Sequence, residues 1–143
     1  MDSAEQQVID ALAARLVPMA ATAGRVYTDR TWPLDGAALP AWKLELADVQ
    51  SRPYTTDGVD RREVLIDARV YARAVSDLPA ALQALSAAGQ ALLFAAPRPW
   101  GLQLDGAPQR LPGPEGEAAA GSLQLRLRAL VFVRAAQPGT ILN

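Results

Sequence analysis

The sequence predicts an α+β fold, a two-layer sandwich in which a mainly antiparallel β-sheet carries two α-helices packed on one face. Three observations predict it. Two segments repeat apolar residues at helical spacing, and three runs alternate apolar with polar residues as strands do. The alternating runs each have one apolar face, which needs a covering layer, and the single apolar stripe on each helix supplies it. A chain of 143 residues fits one domain, residues 1–143, able to bury a core without staples.

Ser3 followed by Gln6 is a capping-box pattern, and Val8, Ile9, Leu12, Leu16 and Met19 then recur at helical spacing. Pro18 disfavours helical geometry at Val17 and Gly24 is a stop signal, so the first helix is expected to end between Val17 and Thr22. Arg25–Tyr27 reads as a short strand. Asp29–Pro40 follows as a loop with turn chemistry, pinned by Trp32 and Leu39.

The next two runs form a long hairpin from Lys43 to Arg73. Trp42, Leu44 and Leu46 share one face of the first strand, and Val64, Ile66, Ala68, Val70 and Ala72 share one face of the second. Opposed residues of an antiparallel pair lie on the same side, so paired numbers must add to an even total unless a bulge intervenes. A three-residue loop of Thr56, Asp57 and Gly58, with Gly58 left-handed, meets that condition. It sets Leu44 beside Val70, Leu46 beside Ala68 and Glu45 opposite Arg69. Pro53 cannot donate to a ladder, so the tip, residues 51–62, is expected to be irregular and projecting.

Ser76 or Asp77 can cap the second helix, Pro79 fits its first turn, and Leu78, Leu82, Leu85, Leu92 and Leu93 supply its apolar stripe. Residues 97–121 are rich in proline and glycine and read as an exposed loop segment, with a short strand at Trp100–Leu104 before an Asp105-Gly106 turn. Ser122–Arg134 is the longest alternating run. Ala135–Asn143 reads as a tail.

Composition removes many chemistries. The chain has no histidine and no cysteine, so it has no imidazole base, thiolate nucleophile, disulfide or zinc-thiolate site. Its net charge of −1 gives no excess of cations for gripping nucleic acid, and Lys43 is the only lysine. No apolar run approaches the about 18–20 residues that span a bilayer, and the start lacks the basic and apolar regions of a secretory signal, so a cytosolic, membrane-free protein is expected. Asp57, Asp60, Glu63 and Asp67 cluster along the hairpin, where turn and strand-surface roles account for them better than catalysis or a metal. Lys43-Leu44-Glu45 runs in the wrong order for a metal-dependent nuclease, and Gly113-Pro-Glu-Gly116 lacks the Gly-Lys-Ser/Thr of a phosphate loop. Neither an enzyme nor a cofactor is expected.

The face of the sheet away from the helices carries Leu65, Tyr71, Leu130 and Phe132 among Arg69, Arg73, Arg126 and Arg128. Arginine mixed with aromatic residues is what protein interfaces enrich. An ordinary outer face with isolated apolar residues is the plainer alternative. The hairpin tip adds Arg52, Tyr54, Asp57, Arg61 and Arg62 as candidate contacts.

The run Arg25-Val-Tyr-Thr-Asp-Arg-Thr-Trp-Pro-Leu-Asp-Gly-Ala-Ala-Leu-Pro-Ala-Trp-Lys-Leu-Glu-Leu resembles the tail terminator family, minor tail proteins of long-tailed bacteriophages. The likeness extends over Ser3–Ala95 in the order of elements: a leading amphipathic helix, a Val-Tyr strand, a loop ending in Leu-Pro, an alternating strand, the return Arg61-Arg-Glu-Val-Leu-Ile and a leucine-rich helix. The resemblance implies a structural virion protein assembled in the host cytoplasm. Such a protein forms a homo-oligomeric ring, a hexamer, on the head-proximal end of the tail tube. The implied partners are further copies of itself, the tail tube protein and the neck or head-tail connector protein, with DNA as transient cargo through the lumen. A neighbouring neck or tail-completion protein and a host binding module unrelated to virions are the alternatives.

Overall fold

A computed structural model describes residues 3–28, 40–73, 77–112 and 120–143. The elements run α1 (Ala4–Leu16), β1 (Val26–Tyr27), β2 (Ala41–Pro53), β3 (Val59–Arg73), α2 (Leu78–Leu93), β4 (Gln103–Leu104), β5 (Gln109–Pro112), β6 (Ala120–Arg134) and β7 (Gln137–Ile141), with short 3-10 turns at Ala20–Thr22 and Pro99–Gly101. This is the predicted α+β sandwich. The expected pinning by Trp32 and Leu39, the cap at Ser76 and the Gly113–Gly116 turn lie outside the described residues.

The strands form one sheet in the order β1-β2-β3-β6, with β4, β5 and β7 each pairing with the far edge of β6. β1 runs parallel to β2, and the other pairings are antiparallel. β3 and β6 are each 15 residues, about 50 Å of strand. The expected tail is therefore largely a strand; the expected short strand at Trp100–Leu104 appears as β4, with Trp100 in a 3-10 turn instead, and β5 is a further strand that the loop reading of residues 97–121 does not include. All three cover the edge of β6, where exposed N–H and C=O groups invite aggregation. Leu102, fully buried, anchors that segment to the core.

Alternation predicted most of the buried face, but Leu46, expected on it, is 45% exposed beside the bulge at Ala47. Trp42, Leu44, Val64, Ile66, Ala68, Val70, Leu125, Leu127, Ala129, Val131 and Val133 have no exposure, and α1 and α2 lie over them. The α1 residues Val8, Leu12 and Leu16 and the α2 residues Leu82 and Leu93 complete the core, each full side-chain burial stabilising by roughly 1.5–3 kcal/mol. Ser3 caps α1 by accepting from the Gln6 N–H at 3.1 Å, and Asp77 caps α2 by accepting from the Ala80 N–H at 3.2 Å. α1 ends at Leu16, slightly before the expected range, and the 3-10 turn carries the chain on to Gly24 at φ +76°. Arg15 ties the two helices together, its guanidinium donating to the carbonyls of Ala95 and Pro97 at 2.9 and 2.8 Å, just past the end of α2.

The predicted hairpin register is corrected. Near the base, Trp42 pairs with Val70, Leu44 with Ala68 and Leu46 with Ile66, two residues away from expectation, and Glu45 faces Asp67 rather than Arg69. Beyond a bulge at Ala47 the totals become odd, with Asp48 opposite Leu65 and Pro53 opposite Asp60. The carboxylate of Asp48 accepts the Val49 N–H at 2.9 Å, a local bond that competes with the ladder where the strand is interrupted. The bulge lets the apolar faces coincide while the turn centres on Thr56–Asp57, with Gly58 left-handed at φ +91° as expected.

The tip is also more ordered than expected. Ser51–Pro53 and Val59–Arg62 are paired strand, and β6 reaches far enough for Arg134 to pair with Val59. Gly58 accepts the Ala135 N–H at 2.8 Å, so the β6–β7 turn clasps the hairpin end.

Candidate functional site

The bulge decides what the outer face displays. Simple alternation would place Arg52 on the core side with Leu44 and Leu46; the extra residue at Ala47 turns Asp48, Gln50 and Arg52 outward instead. The outer face is then ruled into transverse rows. Arg52, Arg61 and Phe132 lie side by side near the tip, followed by Gln50, Glu63 and Leu130, then Asp48, Leu65 and Arg128. Glu45, Asp67 and Arg126 form the next row, followed by Lys43, Arg69 and Gln124 and, nearest the base, by Ala41, Tyr71 and Ser122.

Three of these rows set like charges directly opposite across β2 and β3: Arg52 against Arg61, Glu45 against Asp67, and Lys43 against Arg69. Such pairs are unfavourable in a free hairpin. Neighbours offset the cost unevenly. Asp67 accepts from Arg126 Nε and Nη2 at 2.8 and 3.1 Å, a bidentate pair whose hydrogen bond and charge raise the Arg126 pKa. Arg69 Nε donates to Ser122 Oγ at 2.7 Å and its guanidinium lies 5.0 Å from the centre of the Tyr71 ring. Glu63 serves two arginines, 3.6 Å from Arg61 and 4.0 Å from Arg128.

Most of the predicted contact residues converge on this face; the exceptions are Asp57 at the turn, Arg62 and Tyr71. Arg62 turns to the helix side, where its Nη1 lies 2.8 Å from the Glu5 carboxylate of α1, with its Nε buried and unpartnered. Its even number, shared with Val64 and Ile66, already carried that signal. Tyr71 lies on the outer side of β3 yet is only 6% exposed, and burial, its largest influence, raises the phenol pKa. Tyr54, in contrast, is 62% exposed and stands against the Phe132 ring at 4.8 Å between centroids. At the tip the Thr55 hydroxyl donates to Asp57 and, as the largest influence, holds that exposed carboxyl below its usual range. The hairpin carboxylates do not converge: Asp57 is at the turn, Asp60 is on the helix side, and Glu63 and Asp67 are separated by the Leu65 row. No group of acidic residues suited to a metal ion occurs among the described residues.

Reading in sequence missed the residues that frame the concavity beside β6. A cleft of about 280 Å³ is lined by Arg61, Glu63, Gln103, Arg128 and Leu130 from the sheet and by Trp100 and Asn143 from beyond it. Trp100 adopts φ +48°, a left-handed conformation that costs a bulky residue about 1–3 kcal/mol. Its indole N–H donates to the Asn143 carbonyl at 3.2 Å, and the Asn143 side chain in turn bonds the Phe132 N–H at 2.9 Å and the Leu130 carbonyl at 3.0 Å. Glu63 is legible in the alternation of β3; Trp100 and Asn143 are brought there only by the fold.

No protein-family model and no curated protein matches the chain. Among solved structures it is similar to a chain of the virion of a native gene transfer agent particle, at 22% sequence identity and a TM-score of 0.64, with 92% of this chain and 100% of that chain covered. At that identity the likeness is one of fold. Its coverage extends well past Ala95, where the sequence resemblance stops, and so takes in the last third of the chain, which builds β6 and its edge strands.

Proposed function

We propose that the chain is a structural protein of a phage-like virion, acting as a ring that caps the head-proximal end of the tail tube and presents the surface on which the head docks. The observation that carries this reading is the shared fold with a chain of a gene transfer agent virion over nearly the full length of both. The terminator role itself comes from the sequence resemblance over Ser3–Ala95, and the outer face supports it with the arginine and aromatic character of an interface. A cyclic ring needs two different complementary patches on each subunit. The outer sheet face supplies one, and the clasped tip with exposed Tyr54 and Asp57 supplies the other. Partners are neighbouring copies, the tail tube protein and the neck or connector protein. DNA crosses the lumen as cargo, and a near-neutral subunit suits passage better than grip. No enzymatic activity or cofactor is part of this reading.

Two measurements test it. Light scattering and negative-stain microscopy of the purified chain are expected to show rings of six subunits of 15.2 kDa, and immunogold labelling of source particles is expected to mark the head-tail junction. Arg61→Glu and Arg128→Glu should abolish ring or tail attachment while leaving the monomer folded. Arg62 and Tyr71, being largely buried, are unsuitable probes. Intact particles without label, together with abundant soluble monomer, would overturn the virion reading.

A further inference from the structure

We infer that the cleft between Arg61, Arg128 and Trp100 receives an acidic segment of a protein partner, with a carboxylate seated between the two guanidiniums. The inference rests on the reading of the outer face as an interface and names the partner chemistry at one end of it. Two guanidiniums, those of Arg61 and Arg128, line the cleft beside the carboxylate of Glu63, and Arg52 lines an adjoining concavity with Arg61 and Glu63. Glu63 stands 3.6 and 4.0 Å from its two neighbours, longer than the about 2.7–2.9 Å of a charge-assisted hydrogen bond, so both cations keep donors for another acceptor.

The walls are held in place. Arg128 Nη2 donates to Gln103 Oε1 at 3.1 Å, which orients its guanidinium, and the Asn143 carbonyl fixes the Trp100 indole. Leu130 and Trp100 offer apolar surface for the methylene stem of a glutamate, and about 280 Å³ accommodates a side chain or two. A nucleic-acid backbone fits less well. Phosphate charge recurs continuously along a strand, and one that followed this face would run from the arginines onto Asp48, Glu45 and Asp67 in the adjoining rows. A short acidic peptide segment ends before it reaches them.

The test is fluorescence anisotropy of labelled hexaglutamate titrated with the full chain, with hexaglutamine and a twelve-nucleotide oligothymidylate as comparison probes. Saturable binding of hexaglutamate is expected, weakening with salt. Arg61→Gln and Arg128→Gln should each raise Kd about tenfold, the loss of one charge-assisted contact. Arg110→Gln, which removes the same charge from exposed β5, should leave Kd unchanged. Equal binding of hexaglutamine, equal loss in Arg110→Gln, tighter binding of oligothymidylate, or no saturation would each overturn the inference. Light scattering on the same samples separates the two proposals. Rings without hexaglutamate binding refute the cleft alone, whereas a monomer that binds hexaglutamate and is absent from particles refutes the virion role alone.

Discussion

Replacing Gly89 with alanine should destabilise the protein, although alanine is the better helix former. Gly89 lies in the middle of α2, over the fully buried ring of Trp42. A Cβ built there would sit 2.4 Å from Trp42 Cζ2 and 2.7 Å from Cη2. Normal carbon contacts are about 3.5–4.0 Å, so helix and ring would have to separate by about 1 Å. Trp42 has little freedom to yield: its backbone pairs with Val70 and Val26, its N–H donates to the Arg25 carbonyl at 2.9 Å, and its indole N–H points at Met19 Sδ at 3.4 Å. Overpacking of this kind costs typically 1–3 kcal/mol, and the propensity gain of about 0.8–1.0 kcal/mol offsets only part of it. The 2.4 Å approach puts the cost in the upper half of that range, so a net loss of about 1–2 kcal/mol is expected, read as a lower urea midpoint at unchanged m-value and a melting temperature lower by roughly 3–6 °C. The companion variant is Trp42→Phe, which is destabilising alone but makes room; the double variant should be less destabilised than the sum of the singles. A stabilised Gly89→Ala, with additive behaviour in the cycle, would refute the seating of α2 on Trp42.

Three further outcomes are expected. Glu5→Gln should cost about 1–3 kcal/mol in chemical denaturation by leaving the Arg62 guanidinium half-buried without its carboxylate, whereas the double replacement Glu5→Leu with Arg62→Met should be neutral or stabilising. Burial raises the Tyr71 pKa, so the folded state holds that proton more tightly than the unfolded chain; stability should fall as pH rises through the ordinary tyrosine value near 10, and Tyr71→Phe should flatten that fall in denaturation measured from pH 8 to 11. Asn143→Ala removes the two side-chain bonds that extend the β6 edge, and amide exchange at Phe132 should accelerate by about fivefold or more, with about 1 kcal/mol lost locally.

The legible features were those written into short stretches of chain. The Ser3 cap, the Asp77 cap and the apolar stripes of α1 and α2 each depend on residues within a few positions of one another. The buried faces of β3 and β6, and of β2 as far as Leu44, follow from alternation alone. The register of the hairpin did not follow, because a single extra residue at Ala47 changes the parity and nothing in the local pattern distinguishes that position from its neighbours. The candidate site was read in part. Leu65, Arg69, Arg126, Arg128, Leu130 and Phe132 were legible from strand parity, whereas nothing in the short strand expected at Trp100–Leu104 or in the expected tail signalled that Trp100 and Asn143 meet at the cleft.

By itself the sequence determined which residues can face the core, because side-chain direction along a helix or strand is a property of local geometry with fixed period. It determined also that the chain carries no imidazole or thiol chemistry. Which residues meet was decided by the tertiary structure. The bulge turns Arg52 outward against Arg61, three short strands cover the far edge of β6, and Asn143 holds Trp100 beside the arginines. Those contacts join residues far apart in the chain, and their partners are selected by the packing of the whole sheet against two helices, a constraint that no short window of sequence contains.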